Sequence, residues 1–187
     1  MNESDGEFQK GLDVMGRIIE IAHGIRLRLN EVSGIKGSAI GRFGDAELAR
    51  VLPLISREEW VFICIVDLTG TVQNDGSSRY NGLQGYSVRN YLREVGIGKW
   101  AELFESLYPF ARQIDEIEGD RQDGKIADDE YDVLVERINL QMDEMETAAD
   151  VEDFDEMDLL LLKYAVKHGF GEVAAPDRAE DGGERRK

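Results

Sequence analysis

Residues 119–130, "GDRQDGKIADDE", have the outline of a calcium loop, with Asp123 beside Gly124 and Glu130 six positions past the glycine. Such a loop takes oxygen ligands at positions 1, 3, 5 and 12 and turns sharply on a glycine at position 6. With Gly124 at 6, Asp123 falls at 5 and Glu130 at 12, but Gly119 stands at 1 and Arg121 at 3. Glycine offers no side-chain oxygen, and arginine puts a cation where a cation must bind. Starting the frame at Asp120 is no better, because Gln122 then falls at 3 and Gly124 at 5. The stretch predicts an acidic connection between two helices, with no metal site.

Other side chains with chemical potential are sparse. The histidines are His23 and His168, neither with a motif partner, and the carboxylates lack the His and Cys company of a zinc or iron site. "GIGKW" is too short for a phosphate-cradling loop. Cys64 lies in the apolar run "VFICIV", which excludes a disulfide framework and predicts a buried, inert thiol suited to a reducing cytoplasm. No catalytic residue and no cofactor is expected. The polar loop "QNDGSSRYNG" is a second candidate: Asn74, Asp75, Gly76 and Asn81 suit tight turns and could line a small recognition pocket.

The carboxylates themselves are the strongest signal. Asp128, Asp132, Glu136 and Asp143, spaced by four, four and seven, form a stripe on a predicted helix over 128–147. Glu144 and Glu146 continue it toward Asp150, Glu152 and Asp153. Carboxylates four apart on a helix lie about 6 Å from one another, on the scale of successive backbone phosphates, and each such like-charge pair opposes stability by a few tenths of a kcal/mol. The chain carries 39 acidic against 22 basic residues, net −17. Residues 1–110 hold 15 acids and 12 bases, net −3, whereas residues 115–158 hold 19 acids and 3 bases, net −16. A field of that sign repels nucleic acid and anionic membranes and attracts basic partners. The plain alternative is a merely solvated helix face.

The elements that must carry these groups read as helices. Phe8, Leu12, Met15, Ile19, Ala22, Ile25 and Leu29 recur at intervals of three and four, the stripe of one amphipathic helix over 7–30. "GIKGSAIGRFG" is a glycine-rich connection, and Asp45 can cap a short helix "AELARVL" before Pro53. Ser56 and Glu59 have the spacing of a capping box, so "WVFICIVDL" is read as a buried helix despite its β-branched residues. "TVQNDGSSRYNGLQG" follows as a loop. A short helix with Val88, Tyr91, Leu92 and Val95 stops at Gly96, and the next, with Trp100, Leu103, Phe104 and Leu107, ends near Pro109. Leu134, Ile138 and Met142 are expected to pack against Leu160 and Leu161 of a last helix, 153–168. From Gly171 no apolar period remains, which predicts a disordered tail.

The stretch 56–168, from "SREEWVFICIVDLTGTVQNDG" through "EVGIGKWAEL" to "MDLLLLKYAVKHG", resembles the DNA-mimic-protein-nineteen-like domain, a bacterial all-α family mostly of unknown function. That family's loop type "V-N-N-G-G-F" is represented by "TVQNDG", with Asp75 in place of a glycine and Ser77 where an aromatic would stand. The resemblance implies an all-α domain, and one type of relative whose surface carboxylates stand in for phosphates before a DNA-binding partner.

The expected architecture is one multi-helix all-α domain over 37–170, an N-terminal helix and linker over 1–36, and a tail over 171–187. The expected function is non-enzymatic: an acidic module or inhibitor that engages a basic protein surface, including one that otherwise holds DNA. An immunity-type protein that neutralises a basic nuclease toxin is the alternative among binding functions. A metal-dependent enzyme using the acidic cluster is the alternative from another class, and would bring His168 beside Asp115, Glu116, Asp120 and Asp123. Neither direct nucleic-acid binding nor membrane association is expected: "MNESDGEF" is unlike a secretory signal, and no apolar run reaches the length of a span. The oligomeric state stays open, a dimer included.

Overall fold

The structure is a computed structural model that describes residues 3–33, 53–75 and 79–170. Among the described residues there are six helices and no strand: α1 Glu3–Ser33, α2 Arg57–Asp75, α3 Arg79–Val95, α4 Gly98–Gln122, α5 Asp128–Ala148 and α6 Phe154–Lys167. The chain is an all-α domain. The expected helix "AELARVL", Gly76 and the tail lie outside the described residues.

The capping box at the start of α2 closes reciprocally, the Ser56 amide donating to Glu59 Oε2 at 2.9 Å and the Glu59 amide to Ser56 Oγ at 3.1 Å. Residues Trp60 to Ile65 that follow are all buried. A helix apolar on all sides belongs at the centre of a domain, and α2 packs against α1, α3 and α6. Burial, with Asp67 a lesser cause, pushes the Cys64 thiol well above the usual range, which leaves it unreactive.

Two expectations about the middle of the chain are corrected. The segment read as the loop "TVQNDGSSRYNGLQG" is mostly helix: Thr71–Asp75 end α2, and Arg79–Gly85 begin α3. The reason lies at Gly85, where an added Cβ would overlap the Phe104 ring. The glycine, read as a turn signal, instead lets α3 and α4 approach closely. Pro109 does not end α4, which runs on to Gln122 because Ala111 and Ile114 continue the buried stripe. Gly96 does stop α3, with φ +100 and the Ile97 amide turning back to the Leu92 carbonyl at 2.8 Å.

The buried stripe of α1 is Ile18, Ile21, Ala22, Ile25 and Leu29, so that helix enters the common core. Met15 and Ile19, expected on that stripe, are exposed. Arg26 and Arg28 of α1 pair with Asp67 and Glu59 of α2. The last helix, α6, packs on α1, α2 and α3.

The place of α5 differs from expectation in a way that matters for function. It packs chiefly on α4, with no more than marginal contact to α6, though Ile138 and Met142 do join the common core. Its only fully buried side chains are Ile138 and Met142, with Leu134 half-buried. At about 1.5–3 kcal/mol per buried side chain, α5 is an outer element held along one edge, with most of its circumference open to water.

Candidate functional site

The turn between α4 and α5 is built from ion pairs. Asp123 caps α4, and Gly124 takes φ +71. Lys125 Nζ lies 2.8 Å from Asp120 and 3.0 Å from Asp123. The ammonium thus lies between these two carboxylates. Arg121 reaches Glu118 at 2.6 Å and Asp128 at 3.4 Å, and its guanidinium lies 4.8 Å from the centre of the Tyr131 ring. Arg121, then Gln122 and Tyr131, hold the Glu118 carboxyl down at about 2. No group of three or more His, Cys, Asp or Glu poised to hold a metal occurs among the described residues.

Two acids of the helical body are neutralised by nearby bases. Glu94 of α3 accepts two bonds from Arg57, at 2.8 and 2.7 Å, and one from the Tyr164 hydroxyl at 2.8 Å. Those Arg57 bonds hold the Glu94 carboxyl below its ordinary range, against the opposing effect of burial. His168 lies at this corner, its ring 4.4 Å from that of Tyr164, and not among the acids at the end of α4. Glu105 is paired by Arg93 at 2.7 Å and Arg89 at 3.2 Å, beside the stacked rings of Tyr86 and Tyr108, 3.7 Å apart.

Helix α5 has no such balance. It carries eight acids and a single base, Arg137. Asp128, Asp132, Glu136, Asp143 and Glu144 are exposed. Of these Asp128 is tied to Arg121, while Asp132, Glu136, Asp143 and Glu144 make no ion pair among the described residues. Val133 and Leu140, 56% and 58% exposed, lie on the same outer side and were not foreseen as part of it. Helical spacing puts Glu136 and Asp143 on one flank of this apolar pair, and Arg137 and Glu144 on the other.

The other members of the expected acidic row have separate duties. Glu146 is half-buried and already bonded within the fold. Asp150 accepts from Lys99 Nζ at 3.0 Å. Glu152 is not a surface residue. It is 7% exposed, and its carboxylate accepts the Lys99 and Trp100 amides at 3.1 and 3.2 Å while its carbonyl takes the Trp100 indole N–H at 2.7 Å. Those amides open α4, whose own cap residue, Ile97, has no side-chain acceptor. The distant glutamate satisfies them instead. Asp153 caps α6, accepting the Glu156 amide at 2.7 Å. A lone acid after an acidic helix carries no signal that separates a clasp from a surface group.

Of the second candidate, Asn74 and Asp75 lie in the last turn of α2 and Asn81 in the first turn of α3, while Gly76 falls outside the described residues. Asn74, Asp75 and Asn81 therefore lie within helices. No helix among the described residues is long and apolar enough to cross a membrane. Comparison with protein-family models, curated proteins and solved structures found no match.

Proposed function

We propose that this chain is a non-enzymatic, acidic binding module that engages a basic protein surface through the outer side of α5. The observation that carries this reading is a run of exposed carboxylates, Asp132, Glu136, Asp143 and Glu144, with no ion-pair partner among the described residues, on a helix that the fold leaves at its edge. Like charges so placed oppose folding by a few tenths of a kcal/mol each. By contrast, Glu94 on α3 and Glu105 on α4 are each paired by arginines within the body of the fold. The resemblance of residues 56–168 to the DNA-mimic-protein-nineteen-like domain points the same way: the partner is a protein that otherwise holds DNA. In this reading the chain acts in the cytoplasm, in the company of DNA-binding proteins, and does not itself bind nucleic acid.

The test is retention. The chain is immobilised and offered a protein fraction that DNA-cellulose retains. A basic protein should stay bound at low salt and be displaced by duplex DNA. The variant E136K/D143K/E144K should lose it. Retention that is indifferent to both duplex DNA and the triple reversal would overturn the reading. Capture of a nuclease whose activity the chain blocks would favour the immunity-type form of the same function.

A further inference from the structure

We propose that a groove at the C-terminal end of α5 seats an arginine or lysine side chain of the basic partner, an inference that rests on the reading of the chain as an acidic module. The groove runs between the first turns of α4 and the last turn of α5, with a volume of about 530 Å³, in the range of ligand pockets. Leu103, Met145 and Val151 give it apolar walls, Glu102 and Asp150 supply carboxylates, and Lys99 lines it as well, one ammonium against two carboxylates. That combination suits a long cationic side chain, whose methylene stem seeks apolar surface while its head seeks anions.

Two further features favour a cation over other guests. The C-terminal end of a helix carries partial negative charge and attracts bases. The last turn of α5 has no base, and Glu144 and Glu146 lie near it. The groove also shows how an ammonium is received, for Lys99 Nζ donates to Asp150 Oδ2 at 3.0 Å. The Asp150 side chain is nevertheless 95% exposed, so its second carboxylate oxygen is open to another donor. Glu102 is exposed and makes no ion pair among the described residues. An incoming guanidinium can bridge Glu102 and Asp150, with its stem against Leu103 and Met145. Asp143 and Glu144, about one turn away, would draw it in.

The test uses the full chain and a fluorescein-labelled nona-arginine peptide, with nona-citrulline as its neutral counterpart. Binding is read by fluorescence anisotropy, and the wild-type amide shifts are mapped by nuclear magnetic resonance. Two variants add one positive charge each to α5: A148R in the groove and L140R about two turns away. Both replace exposed residues. The arginine peptide should bind and the citrulline peptide should not. A148R should weaken binding about tenfold and L140R about threefold or less. The largest shifts should fall in 99–106 and 145–151. Equal weakening by both variants, with shifts spread along α5, would overturn the groove and leave the acidic-module reading standing. Equal binding of the citrulline peptide would overturn the cationic guest. No binding of the arginine peptide would overturn both the groove and the reading beneath it.

Discussion

Single residues in this chain are governed by which hydrogen bonds they complete. Glu152 reads in the sequence as one more acid in an acidic run, yet it is buried because the first amides of α4 need an acceptor that Ile97 cannot supply. Removing it leaves those amides unsatisfied. E152A should therefore cost about 1–3 kcal/mol in urea unfolding, with E152Q costing less because one oxygen remains. A loss for E152A below about 0.5 kcal/mol, typical of a surface site, would contradict the clasp. Glu118 makes a different claim. Its carboxyl is held at about 2, against an ordinary 4.5, by Arg121 first and then by Gln122 and Tyr131. A depressed carboxyl stabilises fully above its ordinary value, and the contribution fades as pH falls through the folded-state value. The urea midpoint of the wild type should thus fall more steeply from pH 5 to pH 2.5 than that of E118Q, whereas parallel curves would remove Glu118 from the acid sensitivity.

At the scale of elements, what the sequence revealed was local. The Ser56–Glu59 box, the Gly96 stop and the charge order of α6 need only neighbours along the chain, and each is where its spacing puts it. Signals that depend on a distant partner misled. Gly85 suggests a turn until Phe104 is known to occupy the space of its side chain. Pro109 suggests an end until the stripe beyond it is seen to be buried. The apolar period of α1 was legible, but not all of its facing, since Met15 and Ile19 are exposed. The acidic row on α5 was legible from charge and spacing alone, but the Val133–Leu140 pair within it and the clasping role of Glu152 were not. Gly85 offers a test by sign. In an ordinary helix interior Gly→Ala stabilises by about 1 kcal/mol, but overlap with a packed ring costs about 1–3 kcal/mol. G85A should therefore lower the melting temperature, and a rise would mean that α3 and α4 do not approach closely there.

For the whole molecule the question is what the uneven charge does. Three of its helices, α2, α3 and α4, share ion pairs that tie the body together, and α5 alone is left strongly acidic at the edge. Exposed charges act over about 8 Å at physiological ionic strength, so the outer side of α5 is felt mainly at close approach, where it speeds encounter more than it deepens affinity. The rival recognition element is the open apolar side of α1, with Met15 and Ile19. The most direct test of the central claim is the association rate of the DNA-cellulose-derived partner with the wild type, with E136K/D143K/E144K and with M15S/I19S, at low and high salt. Glu146 is left intact in the reversal because it is half-buried and bonded. The acidic-module account predicts a wild-type rate that falls steeply with salt, a charge-reversed rate about tenfold or more lower at low salt, and M15S/I19S behaving as wild type. A charge-reversed protein that associates as fast as the wild type, while M15S/I19S fails to bind, would contradict it and move recognition to α1.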